Sequence, residues 1–236
     1  MVLSMKYSKS STAIRKITAL GIFAALAYLS LYAFRIAGIG GFLTFDIKDT
    51  IVCLSAMIFG PASGVSIALL VALIEMVTVS GTGIWGFIMN FASTAVFSAM
   101  ASCVYMYIPK LKKTMKGAII GLLLAVLTST ITMLLLNIFV TPIYLGVERE
   151  AVFNMLVPVL LPFNFSKSLL NAACVMLLYK PIKEILKKTG FVRSTSENYK
   201  FDKRSVILTA VGIVIIILCL VFFVFAMDGQ FKFFDK

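Results

Sequence analysis

Residues 162–171 read Pro162-Phe163-Asn164-Phe165-Ser166-Lys167-Ser168-Leu169-Leu170-Asn171. This stretch predicts a row of polar side chains on an otherwise apolar helix. Residues three and four apart are neighbours on a helix face, so Asn164, Lys167 and Asn171 form a polar stripe about two turns long. Such a stripe must face protein, water or a ligand, and a lysine within an apolar segment indicates a functional site. A lysine this close to a helix start can also extend to lipid headgroups, so this stretch alone leaves both alternatives open.

The whole chain has the composition of an integral membrane protein. Of its 236 residues, 61% are hydrophobic and 14% are charged, and the mean hydropathy of +1.03 lies far above that of soluble domains. About seven apolar stretches approach the roughly 20 residues that a membrane-spanning helix needs. The predicted fold class is therefore all-α: a polytopic membrane protein.

The apolar stretches and the turns between them predict the boundaries. Helices are expected at residues 17–32, 50–59, 62–79, 87–108, 117–140, 162–179 and 206–227, with a re-entrant or interfacial segment at 151–161. The predicted domains are a cytoplasmic N-terminal segment (1–16), a six-helix substrate-binding membrane domain (17–186), a basic cytoplasmic linker (187–205), a seventh transmembrane helix (206–227) and an extracellular tail (228–236).

Basic residues set the predicted orientation. Sixteen of the 22 Lys and Arg residues lie in the N-terminal segment, in the turn around residues 110–116 and in the linker around residues 180–204. Because loops on the cytoplasmic side are enriched in Lys and Arg, the N-terminus is expected in the cytoplasm and the C-terminus outside a bacterial-type plasma membrane. The net charge of +12 is thereby explained without nucleic acid as a partner.

Residue types exclude several kinds of chemistry. The chain contains no histidine, which excludes a His-based metal site, a Ser-His triad and a His proton relay. Cys53, Cys103, Cys174 and Cys219 show no pairing or metal-ligand spacing and are expected to be free thiols. We therefore expect no catalytic residues, no metal and no cofactor.

Polar residues converge on the outer end of the predicted bundle. With this topology, five helices bring polar groups to one side, namely Asp46, Asp49, Glu75, Asn90, Asn137, Asn164 and Lys167, with Phe45, Trp85, Phe91 and Phe163 nearby. Apolar walls with a few placed hydrogen-bonding groups are typical of a small-molecule pocket. The inner halves of the helices are almost purely apolar, which predicts capture of a solute without a polar path across the membrane.

Structural explanations exist for the same residues. Glu75 could be a buried ion-pair partner of Lys167, because pairing lowers the cost of burying either charge. Asn90 and Asn137 could form hydrogen bonds between helices.

Several segments, taken together in their order along the chain, resemble the substrate-binding S components of energy-coupling factor (ECF) vitamin transporters. The resemblance is strongest to the riboflavin-specific members. The resemblance spans residues 17–183. The segments that carry it are Leu43-Thr44-Phe45-Asp46, Phe59-Gly60-Pro61-Ala62-Ser63-Gly64, the stretch from Gly83 through Asn90-Phe91, Pro162-Phe163-Asn164 with Lys167, and Tyr179-Lys180.

This resemblance implies six helices around a vitamin near the extracellular surface, covered by the loop from Thr44 to Asp46. Asn164 and Lys167 would then form hydrogen bonds with the polar edge or the ribityl chain of a flavin. The expected substrate-binding residues are Thr44, Phe45, Asp46, Glu75, Trp85, Asn90, Asn137, Asn164 and Lys167.

The resemblance also implies partner proteins: a membrane coupling subunit and two cytoplasmic ATPases. The chain has no Gly-x-x-x-x-Gly-Lys-Ser/Thr motif, so the energy must come from those partners. Gly21 and Ala25 have the spacing of small residues that permits close helix approach. Together with Ala24 they are the expected contacts for the coupling subunit. The alternative is that they pack within the bundle.

Two features depart from the family pattern: the seventh helix, and Lys48 at a loop position where a small residue is expected. We predict a non-enzymatic membrane subunit that captures riboflavin, or FMN, at the extracellular side for ATP-driven uptake. The alternatives are an S component for another vitamin or a queuosine precursor, a membrane assembly subunit, and an intramembrane enzyme acting on a lipid-linked substrate.

Overall fold

The described part of the chain consists of helices, and short turns join consecutive helices from α2 to α6. A computed structural model describes residues 2–33, 43–79, 81–189, 191, 210–219 and 221. Its helices are α1 (Val2–Ala33), α2 (Lys48–Phe59), α3 (Pro61–Thr78), α4 (Gly83–Tyr107), α5 (Met115–Leu145), α6 (Arg149–Met155), α7 (Leu161–Lys188) and α8 (Ala210–Cys219). The all-α prediction is confirmed. Most of the predicted basic linker, both ends of the predicted seventh helix and the predicted tail at 228–236 lie outside the described residues.

The described helices have the lengths and surfaces of a membrane bundle. Five stretches among them are long and apolar enough to cross a membrane: Ala13–Ala33, Pro61–Thr78, Gly83–Tyr107, Met115–Leu145 and Arg149–Leu186. Large apolar side chains face outward, as Leu127, Ile131 and Leu135 do along α5. This outward apolar surface is suited to contact with lipid tails.

The short helix α2 lies at the centre of the bundle, in contact with α1, α3, α4 and α7. Its twelve residues extend over only about 18 Å at 1.5 Å per residue. Gly64 of α3 permits the close approach of its neighbours, because a Cβ atom there would lie 2.5 Å from the Ala56 Cβ and 3.2 Å from the Ser98 Oγ. Two loops cover the ends of α2, residues 43–47 at one end and the Gly60-Pro61 turn at the other.

The predicted re-entrant segment at 151–161 is instead part of a helix. α6 runs through a π-helical turn, Leu156–Leu160, directly into α7. Pro158 and Pro162 cannot donate backbone hydrogen bonds, and a wider turn accommodates that loss without a chain reversal. Asn164 Nδ2 donates to the Leu160 carbonyl oxygen at 2.7 Å and so stabilises the end of this turn. This continuous helix places the polar residues of α7 at the inner wall of the bundle.

Several predicted boundaries also differ at the ends of helices. α1 begins at Val2, because residues 2–16 contain no glycine or proline to interrupt a helix, although its apolar part begins only at Ala13. α5 continues past residue 140 to Leu145, and Pro142 lies inside its last turn. α7 continues past residue 179 to Lys188.

The additional C-terminal helix packs against the bundle along one face. Gly212 of α8 lies against Leu177 of α7, where a Cβ atom would be 3.2 Å from Leu177 Cδ2 and 3.8 Å from the Ala173 carbonyl oxygen. Ile215, Ile216 and Cys219 extend this face into an apolar cluster that includes Leu170 and Cys174. The opposite face is exposed at Val211, Val214 and Leu218. The described part of this helix is therefore an integral element of the bundle.

Candidate functional site

A cavity opens at the end of the bundle opposite the lysine-rich turn between α4 and α5. Its empty space, the open mouth included, is about 1060 Å³. Its walls come from the 43–47 loop, the end of α3, the α3–α4 turn, α4, α5 and α7: Leu43, Thr44, Glu75, Gly81, Thr82, Trp85, Gly86, Met89, Asn90, Ser93, Met133, Asn137, Val140, Thr141, Tyr144, Phe163, Asn164 and Lys167.

Most of the predicted substrate-binding residues meet at this cavity. Its lining includes Thr44, Glu75, Trp85, Asn90, Asn137, Asn164 and Lys167. Phe45 and Asp46 are not in the lining, so the structure places them behind the wall. Phe45 packs edge-on against the Phe163 ring, with 4.8 Å between ring centroids, and Asp46 forms an ion pair with Lys167. Both residues thus support side chains that line the cavity, and their direct contact with a ligand stays a prediction.

Lys167 connects α7 to the loop that precedes α2. Its Nζ donates to the Asp46 Oδ2 at 2.8 Å and to the Thr44 carbonyl oxygen at 3.2 Å. Burial by itself would raise the pKa of the Asp46 carboxyl, but the ammonium groups of Lys167 and Lys48 outweigh that effect and hold the pKa below its ordinary value. Lys167 is therefore held in place by the bundle, and does not extend to the lipid headgroups.

Glu75 pairs with a lysine other than the one proposed from sequence. The Lys48 ammonium donates to the Glu75 Oε2, and both side chains are almost completely buried. The suggested Glu75–Lys167 pair is therefore wrong. Sequence periodicity gives the depth of a residue along its helix, whereas the choice between two lysines at similar depth depends on how the helices are rotated.

Asn171 ties the same loop to two helices. Its Nδ2 donates to the carbonyl oxygens of Asp46 at 3.1 Å and Lys167 at 3.0 Å. Its Oδ1 accepts from the backbone N–H of Thr50 at 2.9 Å and from the Thr50 hydroxyl at 2.7 Å. With its side chain fully buried, Asn171 is a structural connection beneath the cavity, even though it shares a helix face with Asn164 and Lys167.

The three asparagines of the wall differ in the hydrogen bonds that remain available. Asn137 is engaged within its own helix, since Nδ2 donates to the Met133 carbonyl oxygen and Oδ1 accepts from Thr141, each at 2.7 Å. Asn164 uses Nδ2 locally, and no donor among the described residues reaches its Oδ1. The Asn90 amide forms no side-chain hydrogen bond within the described part of the chain. Asn90 and the oxygen of Asn164 are therefore the wall amide groups best able to bind a ligand.

The rest of the wall consists of apolar, aromatic and hydroxyl side chains and glycines, most of which were not predicted from the sequence. Met89, Met133 and Val140 could not be distinguished from ordinary bundle residues by residue type or spacing. Ser93 carried a weak signal, because it lies three residues after Asn90 on the same face of α4. The wall thus combines apolar and aromatic surface with many hydroxyl, amide and charged groups, which suits a largely aromatic ligand that also carries several polar groups.

The residues predicted to contact a coupling subunit are divided between two faces of α1. Gly21 and Ala25 are exposed on the outer face of this helix. Ala24 is buried, with 7% of its surface exposed, among core residues that include Ala27 and Phe23. Of the three residues, only Gly21 and Ala25 therefore lie on the outer surface, and Ala24 packs inside the bundle.

The ionisable residues of this site show no arrangement for metal binding. Within the described ranges, no group of three or more His, Cys, Asp or Glu residues is placed to hold a metal ion. Near the cavity, Lys48 pairs with Glu75 and Lys167 pairs with Asp46, while the buried Asp49 carboxylate accepts a hydrogen bond from the Thr94 hydroxyl.

Comparisons with known proteins agree on one kind of membrane protein. The model of the family described as "ECF transporter, substrate-specific component" matches residues 15–179. The chain is 28% identical over 184 residues to the riboflavin transporter RibU of Streptococcus thermophilus, covering 74% of this chain and 85% of that protein. It is also 28% identical over 186 residues to RibU of Staphylococcus aureus, covering 74% of this chain and 93% of that protein.

A solved structure shares the fold. It is described as the S component of a bacterial ECF transporter, and it matches with a TM-score of 0.62 and 27% sequence identity, covering 74% of this chain and 99% of the solved chain.

Proposed function

The chain belongs to the family of substrate-specific components of ECF transporters, and on that premise we propose that it captures riboflavin at the extracellular face of the membrane for ATP-driven uptake. Two relatives, most of whose length is covered by the match to this chain, are named riboflavin transporters. Family and relatives are transporter components, so the chain is a multi-pass membrane protein with a transport role.

The observation that carries the proposal is the combination of groups in the cavity wall. Trp85 and Phe163 offer aromatic surface, while Asn90, Asn164 and Lys167 offer hydrogen-bonding groups. Riboflavin has matching chemistry: a flat tricyclic ring with a polar pyrimidine edge and a hydroxylated side chain. The ring would be held by apolar contact, and the wall amides would satisfy its heteroatoms.

The 43–47 loop covers one side of the cavity and would control access to it. Leu43 and Thr44 line the cavity, and Lys167 and Asn171 hold the following residue, Asp46, to α7. Displacement of this loop would open the site to the outside, and its return would exclude water from the bound ligand.

Release into the cytoplasm would require partner proteins. We propose a membrane coupling subunit that contacts the exposed Gly21 and Ala25 on α1, and two cytoplasmic ATPases that supply the energy. The lysine-rich turn between α4 and α5 lies at the opposite end from the cavity, which supports an inward-facing N-terminus and an outward-facing cavity. The antiparallel packing of α8 on α7 then supports an outward-facing C-terminus.

Fluorescence of the purified protein tests the proposed ligand. Trp85 is the only tryptophan of the chain and lines the cavity, so titration with riboflavin in mild detergent should produce saturable quenching. Asn164→Ala should weaken this binding about fivefold or more, since a buried hydrogen bond is worth about 1 kcal/mol or more. The matched control is Asn154→Ala on the exposed face of α6, which should leave the Kd unchanged. A folded protein that does not respond to riboflavin would contradict the proposal.

A further inference from the structure

The ion pair between Lys48 and Glu75 has an unusual position relative to the cavity. Lys48 is almost completely buried, with 2% of its surface exposed, and it does not line the cavity, whereas Glu75 does. The Glu75 carboxylate thus has Oε2 bound to an ammonium group in the protein interior. Its other oxygen, Oε1, accepts no hydrogen bond from any described residue. The fully enclosed side-chain atoms that lack a hydrogen-bond partner do not include this oxygen, so part of its surface is exposed. This oxygen is therefore accessible from the cavity.

Burial explains why Glu75 needs this partner. A buried carboxylate without a partner is costly, and a nearby ammonium group lowers that cost. Lys48 supplies that ammonium group from behind the wall, and its single bond to Oε2 also fixes the direction of the other oxygen. The more distant Lys167 cannot take its place, because it is engaged by Asp46 and the Thr44 carbonyl oxygen.

We propose that Lys48 is a positioning residue that holds the Glu75 carboxylate in a fixed orientation, so that Glu75 Oε1 selects ligands that bring an uncharged hydrogen-bond donor to this point of the wall. An ionised carboxylate can only accept hydrogen bonds. Asn90 and Asn164, by contrast, carry amides that can either donate or accept. Glu75 is the only acid among the described lining residues, so it is the wall residue that imposes a donor and repels an anion.

This inference rests on the proposed function, because it assigns a role to one wall residue in binding a flavin. Riboflavin offers two kinds of uncharged donor: the N3–H group of the ring and the hydroxyl groups of the ribityl chain. Lumiflavin keeps the N3–H group but lacks the ribityl chain, and 3-methylriboflavin keeps the chain but lacks the N3–H group. These two analogues therefore distinguish the two possible sources of the donor.

The test compares the affinities of these three flavins for matched variants. Glu75→Gln keeps the shape of the side chain and removes its charge, and Lys48→Met removes the ammonium group. Glu75→Gln should weaken riboflavin binding about tenfold, the usual order for a hydrogen bond to a charged group. The same substitution should not change the affinity for the analogue that lacks the hydrogen-bond donor contacting Glu75. Lys48→Met should show the same ligand pattern. The double variant should bind riboflavin no more weakly than the weaker-binding single variant, since the two residues act as one unit. Lys112→Met, in the turn between α4 and α5, is the control.

The outcomes separate the two claims. Equal losses for all three flavins, or no loss in a folded Glu75→Gln protein, would overturn the role of Glu75 and Lys48 while leaving riboflavin binding intact. Failure of the unaltered protein to bind riboflavin would overturn the proposed function and this inference with it. If Lys48→Met does not fold, Glu75→Gln and the double variant, in which no charge is left unpaired, still give the ligand pattern that decides the question.

Discussion

The ammonium group of Lys167 lies 2.8 Å from the Asp46 carboxylate and 3.2 Å from the Thr44 carbonyl oxygen, and the same side chain lines the cavity. A single residue of α7 thus forms part of the cavity wall and holds the 43–47 loop beside it. The position of the loop and the shape of the wall therefore depend on the same contacts.

Replacing Lys167 should affect both stability and binding. Lys167→Met leaves the buried Asp46 carboxylate without its cation, and breaking such a pair costs about 3–5 kcal/mol. We expect a lower Tm in detergent and a loss of riboflavin affinity of at least a hundredfold. Thermal unfolding and equilibrium titration measure the two effects separately.

A second change separates these two contributions. In Lys167→Met/Asp46→Asn no charge is left unpaired, so most of the lost stability should return while the weak riboflavin binding remains. Recovery of full affinity in this double variant would show that Lys167 acts only by holding the loop.

Two asparagines of the wall should respond in opposite ways to replacement by alanine. Asn90 forms no side-chain hydrogen bond with described residues, so Asn90→Ala should lower riboflavin affinity about tenfold with little change in Tm. Asn137 bonds to Met133 and Thr141 within α5, so Asn137→Ala should mainly lower the Tm. Parallel melting curves and titrations test this contrast, and similar effects of the two variants on affinity would contradict it.

Asn171 should be important for stability rather than for contact with the ligand. Its amide accepts from Thr50 and donates to two backbone carbonyl oxygens in the protein interior. Asn171→Ala should therefore destabilise the protein by about 2–4 kcal/mol, because several buried polar groups lose their partners. Asn154→Ala, on the exposed face of α6, serves as the control for chemical denaturation and should have a negligible effect.

The packing of α8 on α7 predicts that position 212 tolerates only a small residue. A Cβ atom at Gly212 would already be 3.2 Å from Leu177 Cδ2, so Gly212→Leu should separate the helices and cost about 1–3 kcal/mol. Val211→Leu on the exposed face should be tolerated. Riboflavin affinity should stay the same in both variants, because Leu177 and Ala173, the residues that lie against Gly212, do not line the cavity. An affinity loss limited to Gly212→Leu would contradict that separation.

The exposed small residues on α1 predict a separable effect on assembly. Gly21→Leu and Ala25→Leu should reduce co-purification of the coupling subunit and the ATPases, because a large side chain prevents close helix approach. Riboflavin binding by the isolated subunit should not change. Ala151→Leu, an exposed position on α6, provides the control, and normal assembly of both α1 variants would exclude this surface.

The sequence was most informative where a polar residue interrupts an apolar run. Glu75, Asn90, Asn164 and Lys167 stand out for this reason, and the positive-inside pattern places them at one end of the chain's helices. Because depth along a helix follows directly from residue number, their convergence on one cavity could be predicted before the structure was known.

Features that depend on helix rotation and packing could not be predicted in the same way. The pairing of Glu75 with Lys48, the inward direction of Ala24 and the position of Asp46 behind the wall each require knowledge of which face of an element meets its neighbour. The helical course of residues 151–161 was also missed, because the two prolines favour a break unless a wider turn accommodates them.

The most direct test of the central claim is a structure of the protein determined with riboflavin bound. The account predicts one flavin in the cavity, with its ring against Trp85 and Phe163 and with polar contacts to Asn164 and Lys167. A flavin bound at any other place on the protein, or a cavity that stays empty at saturating riboflavin, would contradict it.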